Sequence, residues 1–178
     1  MNLPHEVLDI MEKLDSTTYN HSFRLWEMAV CVEGCYHMTD DTLSTAAFVH
    51  DIGKIYMPYS ILNKREGLST LEREIIDYHS YYGYRILDQY RVNEVVKRIV
   101  LWHHGLKPKV MMPLPKFYSV ETADKAKMLH TLDVFEALTT DRPYKRRISV
   151  SDAIARMENE KGHHREILRY LKSTEKDF

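Results

Sequence analysis

The stretch HDIGKIYMPYSILNKREGLSTLEREIIDYHSYYGYRIL, residues 50–87, carries the reading on which the fold turns. It opens on two ionisable residues, His50 and Asp51, at the end of the mostly apolar run LSTAAFV, residues 43–49. Ser69 followed by Glu72 has the spacing of a capping box, in which two side chains satisfy orphan amides at a helix start. A long helix is predicted from there to about Tyr90, with Ile75, His79, Tyr82 and Ile86 on one stripe at spacings of three and four. An imidazole thus occupies a core position.

The same oddity recurs outward in both directions. A helix predicted over Thr18–Tyr36 has the stripe His21, Leu25, Met28, Val32, Cys35. Asp40 can cap a third, Asp41–Ile52, with Leu43, Ala46 and His50 on one face and Gly53 ending it. In Val92–His104 the stripe is Val92, Val96, Ile99, His103, with His104 four after Val100. In Thr122–Thr140 it is Ala126, Leu129, Asp133, Ala137. Shorter helices are predicted at Pro4–Asp15, Pro58–Leu62, Ser149–Glu160 and Arg165–Lys172. No stretch alternates cleanly enough for a strand, so the expected class is all-α. Gly105–Glu121, with Pro108, Pro113 and Pro115, has no helical period and is expected to be a long loop.

One inward histidine is ordinarily a satisfied core imidazole. His21, His50, Asp51, His79, His103, His104 and Asp133 together are different. Buried polar groups cost several kcal/mol each unless paired or bound to metal. A shared divalent cation removes that cost for all of them, and imidazole with carboxylate suits iron, manganese, zinc or similar ions. Adjacent residues on a helix point about 100° apart, so His103 and His104 are not expected to aim at the centre of one small site. Seven ligands, two of them neighbours, suit two ions about 3.5–4 Å apart, the arrangement used for phosphoryl chemistry.

Composition narrows the classes. The 178 residues, 44% hydrophobic, fit one domain spanning 1–178, with a motif core at about 18–147. A formal net charge of −1 provides no field for a stable nucleic-acid complex. No apolar run approaches the roughly 20 residues of a membrane span, and the first residues lack a signal-peptide core, so a cytoplasmic location is expected. Cys31 and Cys35 read as two small buried residues on one helix face. His5, His37, His163 and His164 fall outside the pattern and read as surface residues. His130, three before Asp133, is a candidate to orient that carboxylate.

The residues resemble the HD superfamily of metal-dependent phosphohydrolases. HDIGK at His50–Lys54, preceded by His21 and followed by His79, the HH pair and Asp133, carries the likeness. The whole stretch from HDIGK to YRIL, with LWHH and DVFEALTTDRPYKRR, is similar to the HD-GYP branch, which hydrolyses cyclic di-GMP and related cyclic dinucleotides in bacterial signalling. The resemblance covers about His21 to Arg147. It implies a single-domain HD-type helical bundle with a dinuclear metal site. His21, His50, Asp51 and Asp133 would hold one ion; Asp51 would bridge to a second held by His79, His103 and His104. A hydroxide between the ions would attack phosphorus. Lys54 would contact a phosphate oxygen, and Arg142 and Lys145 would shape the phosphate side of the pocket. Tyr144 is a candidate for stacking on a base. The chain departs from the branch where HHGLKPKVMMPLPKF replaces its Glu and Asp-Gly-x-Gly-Tyr-Pro signature. Thr17 stands where some members place a Glu for a third metal, so two ions are expected.

The function implied is hydrolysis of cyclic di-GMP or a related cyclic dinucleotide. The competing readings are an HD enzyme acting on a nucleotide monophosphate, triphosphate or 2′,3′-cyclic nucleotide, and a non-catalytic module that senses a nucleotide. A phosphorylated nucleotide is the expected partner, and a homo-oligomer is among the assemblies the sequence allows.

Overall fold

The computed structural model describes residues 2–64, 66–105, 119–141 and 146–175. Arg142, Tyr144 and Lys145, and most of the 105–121 loop, lie outside them. Among the described residues every regular element is helical. In chain order these are α1 (His5–Glu12), α2 (Ser16–Cys35), α3 (Thr42–Val49), a 3-10 turn (Ile52–Tyr56), α4 (Tyr59–Leu62), α5 (Thr70–Asp77), α6 (His79–Gln89), α7 (Glu94–Trp102), α8 (Val120–Thr139), α9 (Val150–Asn159) and α10 (Arg165–Ser173).

The two 20-residue helices, α2 and α8, frame the molecule. α3 packs on α2 and α7, α7 packs on α6 and α8, and α9 and α10 cover the far side of α8. Leu25, Leu43, Val49, Ile99, Leu129 and Phe135 meet in one continuous core. Burial of each such side chain stabilises by about 1.5–3 kcal/mol.

Several local signals act as the sequence predicts. The Ser69–Glu72 capping box forms and opens α5. Asp40 accepts from the Thr42 amide at 3.0 Å at the start of α3, and Ser149 accepts from the Asp152 amide at the start of α9. Glu33, buried near the end of α2, accepts from the Ser44 amide at 2.8 Å and ties α2 to α3.

Other expectations are corrected. The predicted helix Ser69–Tyr90 is two helices broken at Tyr78, so Ile75 and His79 do not share one straight stripe. Tyr82 turns outward, 37% exposed, against Tyr56. α3 stops at Val49, and the chain tightens into the 3-10 turn. There Gly53 lets the backbone come against α6 rather than ending a helix: a Cβ on it would lie 2.0 Å from the His79 carbonyl oxygen. Cys31 and Cys35 are exposed, because α2 buries Thr18, His21, Leu25, Ala29 and Val32 on a different face. His163 and His164 are buried: the His164 amide donates to the Thr131 hydroxyl at 2.7 Å and its ring caps α10, which seats α10 on α8. His5 and His37 are exposed as expected.

Candidate metal centre

His50 caps the C-terminus of α3, and Asp51 follows at the entry to the 3-10 turn. His79 begins α6, while His103 and His104 lie in the turn that follows α7. His21 comes from α2 and Asp133 from α8. These seven side chains converge. His21, His50 and Asp133 offer ligand atoms within 4.8 Å of one another; so do His50, Asp51 and His103, and so do His79, His103 and His104. The imidazoles form a chain, with ring centroids 5.1 Å apart for His21 and His50, 5.2 Å for His50 and His103, and 4.9 Å for His79 and His104.

Asp51 lies between two groups of ligands. Its Oδ2 is 3.3 Å from His50 Nε2 and 3.9 Å from His21 Nε2, while its Oδ1 is 3.3 Å from His79 Nε2. The Lys54 ammonium donates to Oδ2 at 2.6 Å. His21 Nε2 is 3.1 Å from Asp133 Oδ1. His103 and His104 both reach His79, at 3.3 and 3.2 Å between Nε2 atoms, against the expectation that neighbours would diverge. Past the end of α7 the pair is freed from strict helical projection.

The donor set fits a cation. The Nδ1 atoms of His50, His79 and His103 lie 2.8, 2.6 and 2.6 Å from the carbonyls of Ala47, Ile76 and Val100. A carbonyl only accepts, so each Nδ1 carries the proton and each Nε2 keeps its lone pair. The His79 and His103 lone pairs then face each other across 3.3 Å with no proton to share. Divalent ions satisfy these acceptors together with the carboxylates.

Electrostatics agree for His79 and His103. Burial drives His79 down to about 3, against the opposing pull of Asp51. Burial, reinforced by the neighbouring imidazoles, puts His103 well below its ordinary value. For Asp51 burial works upward, but His50, Lys54 and His79 hold it well below the usual carboxylate range. Asp133 behaves likewise, through His21. His21 goes the other way: burial lowers it, but the bonds to Asp133 and Glu136 outweigh that and raise it to about 9.

Glu136 is the residue that sequence reasoning missed. It is 2% exposed, and His21 Nδ1 donates to its Oε2 at 2.5 Å. Its signal was present, one helical turn beyond Asp133 on the same stripe of α8. His130, the residue expected to orient Asp133, makes no described hydrogen bond to it; its ring stacks on His163, 9° from parallel, and its Nδ1 has no partner among the described residues.

A cleft of about 360 Å³ opens onto the cluster, lined by His21, Asp51, Lys54, His79, His104 and Asp133 among others. A roomier cleft, of about 630 Å³, lies between α2, α8 and α9, with Arg24 in its wall. Chemistry rather than size therefore marks the site.

Residues 8–166 match the HD-domain family, "HD domain". The chain belongs to that family. This HD domain is 30% identical over 166 residues to the cyclic di-GMP phosphodiesterase PA4108 of Pseudomonas aeruginosa, an alignment covering 90% of this chain and 40% of the relative. It is 29% identical over 116 residues to the 3′3′-cGAMP-specific phosphodiesterase 3 of Vibrio cholerae, covering 65% of this chain and 25% of that protein. The chain thus spans less than half the length of these curated relatives. In fold it is similar to the crystal structure of the L. monocytogenes phosphodiesterase PgpH HD domain in complex with cyclic-di-AMP, with a TM-score of 0.62, 20% identity, and coverage of 97% of this chain and 84% of that one. The all-α HD-type fold expected from the sequence is the fold observed. No described helix is long and apolar enough to cross a membrane.

Proposed function

We propose that this HD domain is a phosphodiesterase that hydrolyses a cyclic dinucleotide, with cyclic di-GMP as first candidate, and that it uses two divalent cations such as iron or manganese. The observation that carries this reading is the position of Asp51, whose two oxygens face different imidazole groups, His50 and His21 on one side and His79 on the other. A single-ion site has no use for such a carboxylate between two ligand sets. His21, His50 and Asp133 would hold one ion, His79, His103 and His104 the other, and Asp51 would touch both. Ions held there supply Lewis acidity and water made acidic at neutral pH.

The chain's own groups do the rest. The Lys54 ammonium lies 2.6 Å from Asp51 at the cleft wall, where it would meet a phosphoryl oxygen as negative charge builds up on it. Committing Nδ1–H of His50, His79 and His103 to backbone carbonyls keeps each Nε2 aimed inward. The activities of these relatives, on cyclic di-GMP and 3′3′-cGAMP, support a cyclic dinucleotide as the substrate class. Arg142 and Lys145, beyond Asp141, would extend the phosphate side and Tyr144 would stack on a base.

The test is metal content and hydrolysis measured together on the wild type and on Asp51→Ala, with cyclic di-GMP, 3′3′-cGAMP and a 2′,3′-cyclic nucleotide as substrates. Asp51→Ala is expected to lose bound metal and rate together. A wild type that takes up no manganese or iron, or an Asp51→Ala protein that keeps both metal and rate, would overturn the reading.

A further inference from the structure

The imidazoles of the cluster are not supported alike. Three of them, His50, His79 and His103, lean on neutral backbone carbonyls. His21 alone leans on a carboxylate, Glu136, at 2.5 Å. The two carboxylates of one α8 turn therefore bracket one ring: Glu136 meets Nδ1, and Asp133 lies 3.1 Å from Nε2. The other oxygen of Glu136 is also engaged. Arg24 donates to Oε1 from Nε at 2.7 Å and from Nη2 at 2.6 Å. Arg24 sits three residues after His21, on the same side of α2, and its guanidinium emerges in the wall of the roomier cleft.

We propose that Glu136, held by Arg24, is a positioning residue that sets how tightly the His21 side of the cluster binds its cation, while the His79 side is independent of it. An anionic acceptor on Nδ1–H fixes the ring and makes Nε2 a stronger donor than a neutral carbonyl does. Arg24 keeps that acceptor pointed at His21, because its two donors hold the other carboxylate oxygen and fix the rotamer. The two cation positions therefore differ in affinity for a reason outside the ligands themselves. Loss of Glu136 weakens one position and spares the other, because Glu136 reaches the cluster through His21 Nδ1.

This inference rests on the two-cation reading, and one titration separates the two. Metal-free full chain is titrated with manganese by calorimetry, with bound equivalents counted after desalting, for the wild type, Glu136→Gln and Arg24→Met. Glu136→Gln keeps size and an acceptor but removes the charge; Arg24→Met keeps the stem of a side chain 41% exposed, so the fold survives it. The wild type is expected to bind two equivalents. Glu136→Gln is expected to weaken one binding step by roughly 10–100-fold and leave the other unchanged, so that desalted protein retains one equivalent. Arg24→Met is expected to shift the same step by less. A merely structural role would lower both steps together. Equal weakening of both steps, or no change in either, overturns the inference while leaving the proposed function standing; a wild type that binds no manganese overturns both.

Discussion

Gly53→Ala tests whether the 3-10 turn and α6 are packed as described. A Cβ at Gly53 would lie 2.0 Å from the His79 carbonyl oxygen and 2.5 Å from the Gly83 amide nitrogen, both backbone atoms of α6. Real Cβ atoms essentially never approach closer than 3.0 Å, so the turn and the helix must part by at least 1 Å. Neither neighbour can rotate out of the way as a side-chain tip would. The expected cost is about 3 kcal/mol, the upper end for overpacking, and at roughly 2–4 °C per kcal/mol the midpoint falls by about 6–12 °C. The displacement also draws His79 away from Asp51 Oδ1, now 3.3 Å apart; misplacement by 1 Å costs about 100-fold in rate. The assay is thermal unfolding of metal-free protein followed by circular dichroism, with hydrolysis measured after metal loading. Gly34→Ala is the control: nothing lies within 4 Å of its Cβ in α2, and a change of no more than about 1 kcal/mol is expected. A Gly53→Ala protein that melts within about 2 °C of wild type at full activity would refute the packing argument.

Lys54→Met is expected to lower kcat by about 100- to 1,000-fold with bound metal unchanged; steady-state kinetics beside metal analysis check this, and a kcat within threefold of wild type would remove Lys54 from the mechanism. Chelation of bound metal is expected to lower the thermal midpoint: a free ion at 100 times its Kd contributes about 2.7 kcal/mol, or roughly 5–11 °C, and an unmoved midpoint would mean that folding does not build the site. Asp40 supplies a pH test. Burial raises it, but Thr42 and Lys125 bring it from 3.8 to about 2. A lowered carboxyl pKa gives stability that is complete above the unfolded value and fades as pH falls through the folded one. The gap between wild type and Asp40→Asn, about 1 kcal/mol after solvent screening, should therefore hold at pH 6 and close between pH 4 and 2. Denaturant unfolding at several pH values measures it, and a gap that widens in acid would reverse the assignment.

Much of the site could be read in the sequence because it breaks a rule. His21, His50, His79 and His103 occupy positions where the helical period demands apolar residues, and no packing argument explains four such exceptions at once. Their convergence needed only that the helices pack with those faces inward. The break at Tyr78 was not legible, because helical spacing runs on through Ile75, His79 and Ile86 and no Gly or Pro marks the stop. Gly53 looked like a helix stop, whereas its purpose is the tertiary approach of α6, which no local pattern records. Cys35 and Tyr82 fit a stripe by spacing but stay exposed, Cys35 at the end of α2 and Tyr82 at the surface against Tyr56. His163 and His164 looked peripheral because α10 is short and polar; only the seating of α10 on α8 buries them. Glu136 was hidden by its type, since a helical glutamate is ordinarily solvated.

His21 and Asp133 stand in the interiors of the two longest helices, each locked by turns on both sides. His50, His79 and His103 hang instead at the termini of α3, α6 and α7. Terminal turns open at lower free energy than interior ones. The cluster is in effect a vice with one fixed jaw and one sprung jaw, and with a cation bound the sprung side would be the one to adjust its grip to the ion's radius. Amide exchange at His50, His79 and His103 should accordingly outpace exchange at His21 and Asp133, and should slow most when the vice closes.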